Sequence, residues 1–123
     1  MCKVKEFTKR IERQWILSDL NKKYYNKKFD ALQKEVILKC KELGFDTDKI
    51  ANPDFDPFQM GEILEGLISG IDITFYNTID FDCDQMHQIR LGLEQGVNVM
   101  FYASPNNSEF IMRIIREELE KIS

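Results

Sequence analysis

The sequence predicts an all-α fold: an N-terminal helical cap followed by 26-residue helix/short-helix repeats stacked into a short solenoid. Three observations carry this expectation. Residues of one kind recur every 26 positions from the middle of the chain onward, successive copies carry helix start and stop signals, and residues 1–43 contain neither glycine nor proline. Internal repetition is weighed first because it decides the architecture of the whole chain.

The N-terminal region reads as helix. Val4, Phe7, Ile11 and Trp15 lie on one helical stripe, Ile16, Leu20 and Tyr24 on a neighbouring one, and Phe29, Leu32, Val36, Cys40 and Leu43 on a third. The spacing fits one long helix or two, broken near residues 18–26.

The repeat is plainest in DFDPFQMGEILEGLISGIDITFYNTI and DFDCDQMHQIRLGLEQGVNVMFYASP, which begin at Asp54 and Asp80. Met60, Met86 and Met112 share one register, as do Ile63, Ile89 and Ile115, Leu67, Leu93 and Leu119, and Gly44, Gly70 and Gly96. A degenerate first copy ends in LGFDTDKIANPDF, with Lys34 in place of the methionine. Each copy opens on a helix. Asp56, Asp82 and Ser108 are N-cap residue types, Gln59 and Gln85 complete capping boxes, and Phe55 and Phe81 sit where a hydrophobic staple starts. Pro57 suits the first helical position, and the repeated glycines suit left-handed C-terminal caps.

The linkers are more ambiguous. IDITFY alternates like a strand, but its first counterpart, DTDKIA, places Asp and Lys where a strand needs apolar residues. Asp46, Asp72 and Asn98 are N-cap types, so a short second helix burying Thr47/Ile73/Val99 and Ile50/Tyr76/Tyr102 satisfies all copies. The alternative is an α/β repeat with short parallel strands at 71–76 and 97–102. At 123 residues the chain is expected to form one domain, with a basic helical region (1–43) and an acidic repeat region (44–123).

The segment QMHQIRLGLEQGVNVMFYA resembles a tandem repeat, QMxxIRxGLxxGxxVxxYA, of uncharacterised proteins of Gram-positive bacteria, their phages and mobile elements. The resemblance covers about residues 44–123. It implies a mobile-element context and hence a counter-defence role, and it transfers no functional residue.

Composition and charge narrow the function classes. The net charge of −4 excludes a strongly basic nucleic-acid binder on overall balance, yet it hides an asymmetry. Residues 1–45 carry 12 basic and 6 acidic side chains, whereas residues 46–110 carry 2 and 12. Three widely spaced cysteines (Cys2, Cys40, Cys83) give no disulfide framework and no zinc pattern. The start, MCKVKEFTKRIERQW, lacks the apolar core of a signal peptide, and no apolar run reaches membrane-spanning length. These features predict a cytoplasmic protein without a membrane association.

Chemistry-bearing motifs are sparse. His87 is the single histidine, with Cys83 one turn earlier, a weak metal or thiolate pairing. Asp80, Asp82 and Asp84 alternate as in a calcium loop, but an EF-hand starting there would need Gly and Glu where Gln85 and Leu91 stand. There is no P-loop and no GxGxxG. No catalytic residue, cofactor or metal is predicted.

A non-enzymatic binding protein is therefore expected. Asp54, Asp56, Asp80, Asp82 and Asp84 would supply phosphate-like charge to a host protein with a basic groove, for example a CRISPR nuclease. Phe75, Leu91, Met100 and Phe101 would supply apolar anchoring, since Leu91 replaces Glu65 and Glu117, and Met100 replaces Thr74. Two alternatives come from other classes. The basic arm, with Lys9, Arg10, Arg13, Lys22, Lys23, Lys27 and Lys28 among Trp15, Tyr24, Tyr25 and Phe29, matches a nucleic-acid footprint. An apolar patch on the C-terminal repeat would favour a homodimer.

Overall fold

The computed structural model describes residues 2–122, with side chains from Glu6 onward. The side chains of Cys2, Lys3, Val4 and Lys5, which the sequence reading used, lie outside the described residues. Six α-helices, α1 (Cys2–Leu17), α2 (Asp19–Lys23), α3 (Ala31–Glu42), α4 (Pro57–Ser69), α5 (Cys83–Gln95) and α6 (Glu109–Lys121), alternate from α3 onward with single-turn 3-10 helices at Thr47–Lys49, Ile73–Phe75 and Val99–Phe101. No strand occurs among the described residues, which corrects the α/β alternative. The chain forms two compact units, residues 1–60 and 61–123, divided within α4.

In the first unit the N-terminal region holds three helices in place of the one or two expected: the break at 18–26 contains the short α2. Ser18 adopts an extended backbone, its hydroxyl donates to the Trp15 carbonyl at 2.8 Å, and α2 starts immediately after it. The break rotates the downstream stripe, so Leu20 and Tyr24 are buried while Ile16 is exposed. Trp15, Tyr24 and Phe29 form an aromatic cluster with ring centroids 5.9–6.4 Å apart. The Tyr24 hydroxyl donates to Asp48 Oδ1 at 2.6 Å and lies 2.8 Å from Thr47 Oγ1, tying the α2–α3 connection to the first 3-10 turn.

The repeating module reaches back to Phe29. Asp30 caps α3 with a complete capping box to Gln33, as Asp56 does with Gln59 and Asp82 with Gln85. The buried face of α3 is Gln33, Ile37, Leu38 and Cys40, so the expected stripe through Leu32 and Leu43 is corrected: both are about half exposed. Ile37 keeps the 26-residue register of Ile63 and Ile89, and all three are fully buried. Met60, Met86 and Met112 are likewise inaccessible to solvent. Gly70 and Gly96 take positive φ (74° and 77°), and the following residue's N–H reaches back to Gly66 O and Gly92 O to close each helix.

A 3-10 turn brings residues i and i+3 onto one side. Thr47/Ile50, Ile73/Tyr76 and Val99/Tyr102 are accordingly buried, and the two residues between each pair point outward. Asp46, Asp72 and Asn98 cap the turns, accepting from the N–H two residues on at 3.0–3.1 Å.

In the second unit each turn is locked to its helix through a glycine. Tyr76 Oη donates to the Glu62 carbonyl at 2.8 Å, and Tyr102 Oη donates to the Gln88 carbonyl at 2.7 Å. Gly66 and Gly92 make room for these hydroxyls: a Cβ on either would lie 2.0 Å from the tyrosine oxygen. In the first module the same helix position is Cys40 and the turn supplies Ile50, both fully buried.

Gly92→Ala should destabilise the protein by about 1–3 kcal/mol through overpacking. Gly61→Ala, whose Cβ meets nothing within 4 Å in the same class of helix interior, should stabilise it by up to about 1 kcal/mol; urea midpoints distinguish the two. Burial pushes the Tyr102 hydroxyl from 10.0 up to about 12. A proton held more tightly in the folded state gives stability that is complete below pH 10 and is lost as pH rises toward 12. Tyr102→Phe should cost about 1 kcal/mol at neutral pH and flatten the loss of stability above pH 10, read by urea titration at each pH.

Candidate interaction surface

The surface available to a partner is whatever the stacking of modules leaves free, and stacking consumes an unexpected share of the polar side chains. Gln33 and Gln85 each act in two directions. Their Oε1 atoms accept from the N–H of their own N-cap residues at 2.8–2.9 Å. Their Nε2 atoms donate to carbonyls of the turn that starts the next module: Pro53 and Phe55 for Gln33, Pro105 and Asn107 for Gln85.

Arginine makes a second connection in the second unit. Arg90 Nε donates to Glu62 Oε2 at 2.7 Å and its Nη1 to Glu94 Oε2 at 2.8 Å, and Ser69 Oγ donates to the same Glu94 oxygen at 2.7 Å. One repeat later, Arg116 donates to Gln88 Oε1 at 2.9 Å, to Gln95 Oε1 at 3.2 Å and to Glu120. Burial opposes the charge on Arg90, but Glu62 and Glu94 outweigh it and hold its pKa above the ordinary value. Burial also opposes the charge on Glu94, and the bonds from Ser69 and Arg90 prevail, so its carboxyl titrates below its usual range.

Residues 61–123 carry 4 basic and 11 acidic side chains. The half-buried Arg90 and the buried Arg116 are committed to the contacts just described. Among the described residues Asp80, Asp82 and Asp84 form no ion pair and are left facing solvent or half-buried neighbours. Their roles differ. Asp82 Oδ1 accepts from Gln85 N at 2.8 Å as the α5 cap, Asp80 Oδ2 accepts from Thr78 Oγ1 at 3.3 Å, and Asp84 sits in the first turn, where the helix dipole favours it. In the first unit Asp54 is exposed, while Asp56 accepts from Gln59 N at 2.8 Å as the α4 cap.

The apolar candidates divide by position in the 3-10 turns. Met100 (70% exposed) and Phe101 (67%) are the two outward residues of the third turn, and Phe75 (37%) holds the equivalent outward place in the second. Leu91 is half-buried on α5. In the first module the outward pair is Asp48 and Lys49, which is polar.

The basic candidates lie in the first unit. Lys9, Arg10, Arg13, Lys22 and Lys28 are exposed. Lys23 pairs with Asp48 at 3.2 Å, and Lys27 donates to the Ala51 carbonyl at 3.4 Å. Of the interleaved aromatics, Trp15, Tyr24 and Phe29 belong to the core and offer no stacking face; Tyr25 alone is open, at 83%.

His87 Nδ1 lies 3.2 Å from Glu62 Oε1 and 3.1 Å from an Arg90 terminal nitrogen, so it joins the arginine cluster, while the Cys83 sulfur contacts Asp84. No group of three or more His, Cys, Asp or Glu among the described residues is arranged to hold a metal ion. The glutamine and arginine connections were missed from sequence. The signals that could have revealed them are Arg90 and Arg116 in one register, each 28 residues after Glu62 and Gln88, and the presence of Gln where a capping box accepts Glu equally well. No family model, curated protein or solved structure matches the chain.

Gln85→Glu preserves the cap acceptor but sets a carboxylate against the Pro105 and Asn107 carbonyls in place of a donor. It should lower stability by about 1–3 kcal/mol in urea unfolding, while Gln85→Ala loses the side-chain half of the capping box as well.

Proposed function

We propose that this chain is a non-enzymatic protein-binding module whose second unit presents acidic and apolar groups to a basic, partly apolar groove of a host protein. The observation that carries the reading is the unneutralised charge of that unit: Arg90 and Arg116 are spent on stacking, and Asp80, Asp82 and Asp84 have no ion-pair partner among the described residues. Within nine residues of this run lies Phe75, and the following turn exposes Met100 and Phe101. Carboxylates of this kind compete for Lys/Arg channels by imitating phosphate charge, and the apolar anchors add the desolvated contact that charge alone does not give.

The partner that best suits such a surface is a nucleic-acid-binding enzyme. The resemblance of the repeat to mobile-element proteins makes a counter-defence role against a CRISPR nuclease the specific form of the proposal. A reducing cytoplasmic location accompanies it. No helix among the described residues is long and apolar enough to cross a membrane, and Cys40 is a free thiol. Burial and the nearby Asp46 push the Cys40 thiol up to about 11, which suits an inert core residue.

The test is inhibition of target cleavage by an RNA-guided nuclease of a Gram-positive host. The chain should inhibit, less so at high salt. Asp80→Lys/Asp84→Lys, which spares the Asp82 cap, should weaken inhibition by roughly 10-fold or more with an unchanged circular dichroism spectrum. Full inhibition by that variant removes charge mimicry. No inhibition, together with salt-sensitive retardation of nucleic acid that is lost in Lys22→Glu/Lys28→Glu, replaces the reading with the basic-arm alternative.

A further inference from the structure

The stretch that runs from the end of α2 toward α3, in the first unit, displays an aromatic ring that the core does not use. Residues 21–28 read NKKYYNKK, with four lysines and no acidic side chain. Leu20, Tyr24 and Phe29 are buried and pin this stretch to the core of its unit. Between the anchors the Lys27 N–H donates to the Tyr24 carbonyl at 3.0 Å and closes a turn with Tyr25 and Asn26 at its tip. Tyr25 is 83% exposed there, with Lys22 and Lys23 before it in the chain and Lys27 and Lys28 after it.

Most of this positive charge is not spent locally. Of the acidic residues that flank the stretch, Asp19 pairs with Lys41 at 3.5 Å and Asp30 caps α3. Asp48 takes Lys23 at 3.2 Å and also accepts from the Tyr24 hydroxyl. Lys22, Lys27 and Lys28 are exposed and form no ion pair among the described residues; the Lys27 ammonium lies 5.6 Å over the Tyr24 ring and 3.4 Å from the Ala51 carbonyl.

The combination restricts what the turn can take. An open ring among ammonium groups suits a single nucleic-acid strand, whose phosphates meet the lysines and whose unpaired bases offer a flat face to the ring. A duplex would engage the lysines alone, because its base faces are hidden in its own stack. An anionic membrane surface needs apolar groups that insert, and residues 21–28 contain no aliphatic side chain. An acidic peptide would meet the lysines and leave the ring without a flat partner.

We propose that the turn at 21–28 is a binding site for single-stranded nucleic acid, with Lys22, Lys27 and Lys28 on phosphates and Tyr25 stacked on a base. The site belongs to the first unit, and it stands whether or not the acidic surface of the second inhibits a nuclease.

Fluorescence anisotropy of labelled oligothymidine and oligouridine of about 15 nucleotides, titrated with the full chain at low salt, tests it. One or both strands should bind, the tighter one naming the preferred sugar, and affinity should fall steeply as salt rises. Tyr25→Ala should weaken binding about 5-fold or more, whereas Tyr25→Phe, which keeps the ring, should preserve it. Lys22→Glu/Lys28→Glu should weaken binding about 10-fold or more, and every variant should keep the circular dichroism spectrum. A DNA duplex of the same length should bind more weakly and be indifferent to Tyr25→Ala. Asp80→Lys/Asp84→Lys, the variant that reports on nuclease inhibition, should bind the strands at least as tightly as the unaltered chain. No binding of either strand at low salt, affinity untouched by Lys22→Glu/Lys28→Glu, or capture by phosphatidylserine vesicles in preference to the strands overturns the site. Strand binding that Tyr25→Ala leaves unchanged overturns the stacking role and with it the preference for a single strand.

Discussion

One planar amide does two tasks in this protein. The Oε1 atom of Gln85 completes the capping box of α5, and its Nε2 atom holds the carbonyls of the turn that begins the next module. Gln33 does the same in the first unit. In α3 and α5 the start of the helix and the seating of its successor are therefore set by one side chain, about 7–8% exposed, whose hydrogen-bonding groups all face protein. Glutamate can satisfy the local requirement of a capping box but not the longer-range one. A backbone turn that would otherwise bury unpaired carbonyls becomes a docking feature, and no buried polar side-chain atom among the described residues lacks a partner.

The arginines extend the same logic with charge. Arg90 and Arg116 each link their own helix, through a glutamate four residues on, to the helix before it. Within the second unit this commits two of the four basic side chains to stacking, while Arg113 and Lys121 stay exposed. The acidic character of that unit's surface is thus partly a by-product of its assembly.

The strongest periodicities were legible because they are core positions. Met60, Met86 and Met112 stand in one register and are all inaccessible to solvent. The 3-10 turns could be separated from strands because DTDKIA cannot alternate, and their caps at Asp46, Asp72 and Asn98 are the residues that hold them. The first module was harder to see. Lys34 replaces its methionine, pairs with Glu12 at 2.7 Å and lies over Trp15, so that position faces α1 and has lost the apolar signal. Counting apolar residues then favoured a stripe through Leu32 and Leu43 over the true face at Ile37. For the candidate surface, Asp56 and Asp82 were legible as caps, and the outward direction of Met100 and Phe101 followed from burying Val99 and Tyr102. Contacts between residues 28 apart depend on how one helix lies against the next, which no local pattern encodes.

The outward pair of each 3-10 turn has a wider consequence. Its neighbours on both sides are buried, while the pair itself points outward: Asp48, which accepts from the Tyr24 hydroxyl, and Lys49 occupy it in one turn, Thr74 and Phe75 in another, Met100 and Phe101 in the third. The scaffold thereby sets identity and display apart. Such a chain can exchange the two letters it shows at its second and third turns, polar for aromatic, without rewriting the architecture that carries them.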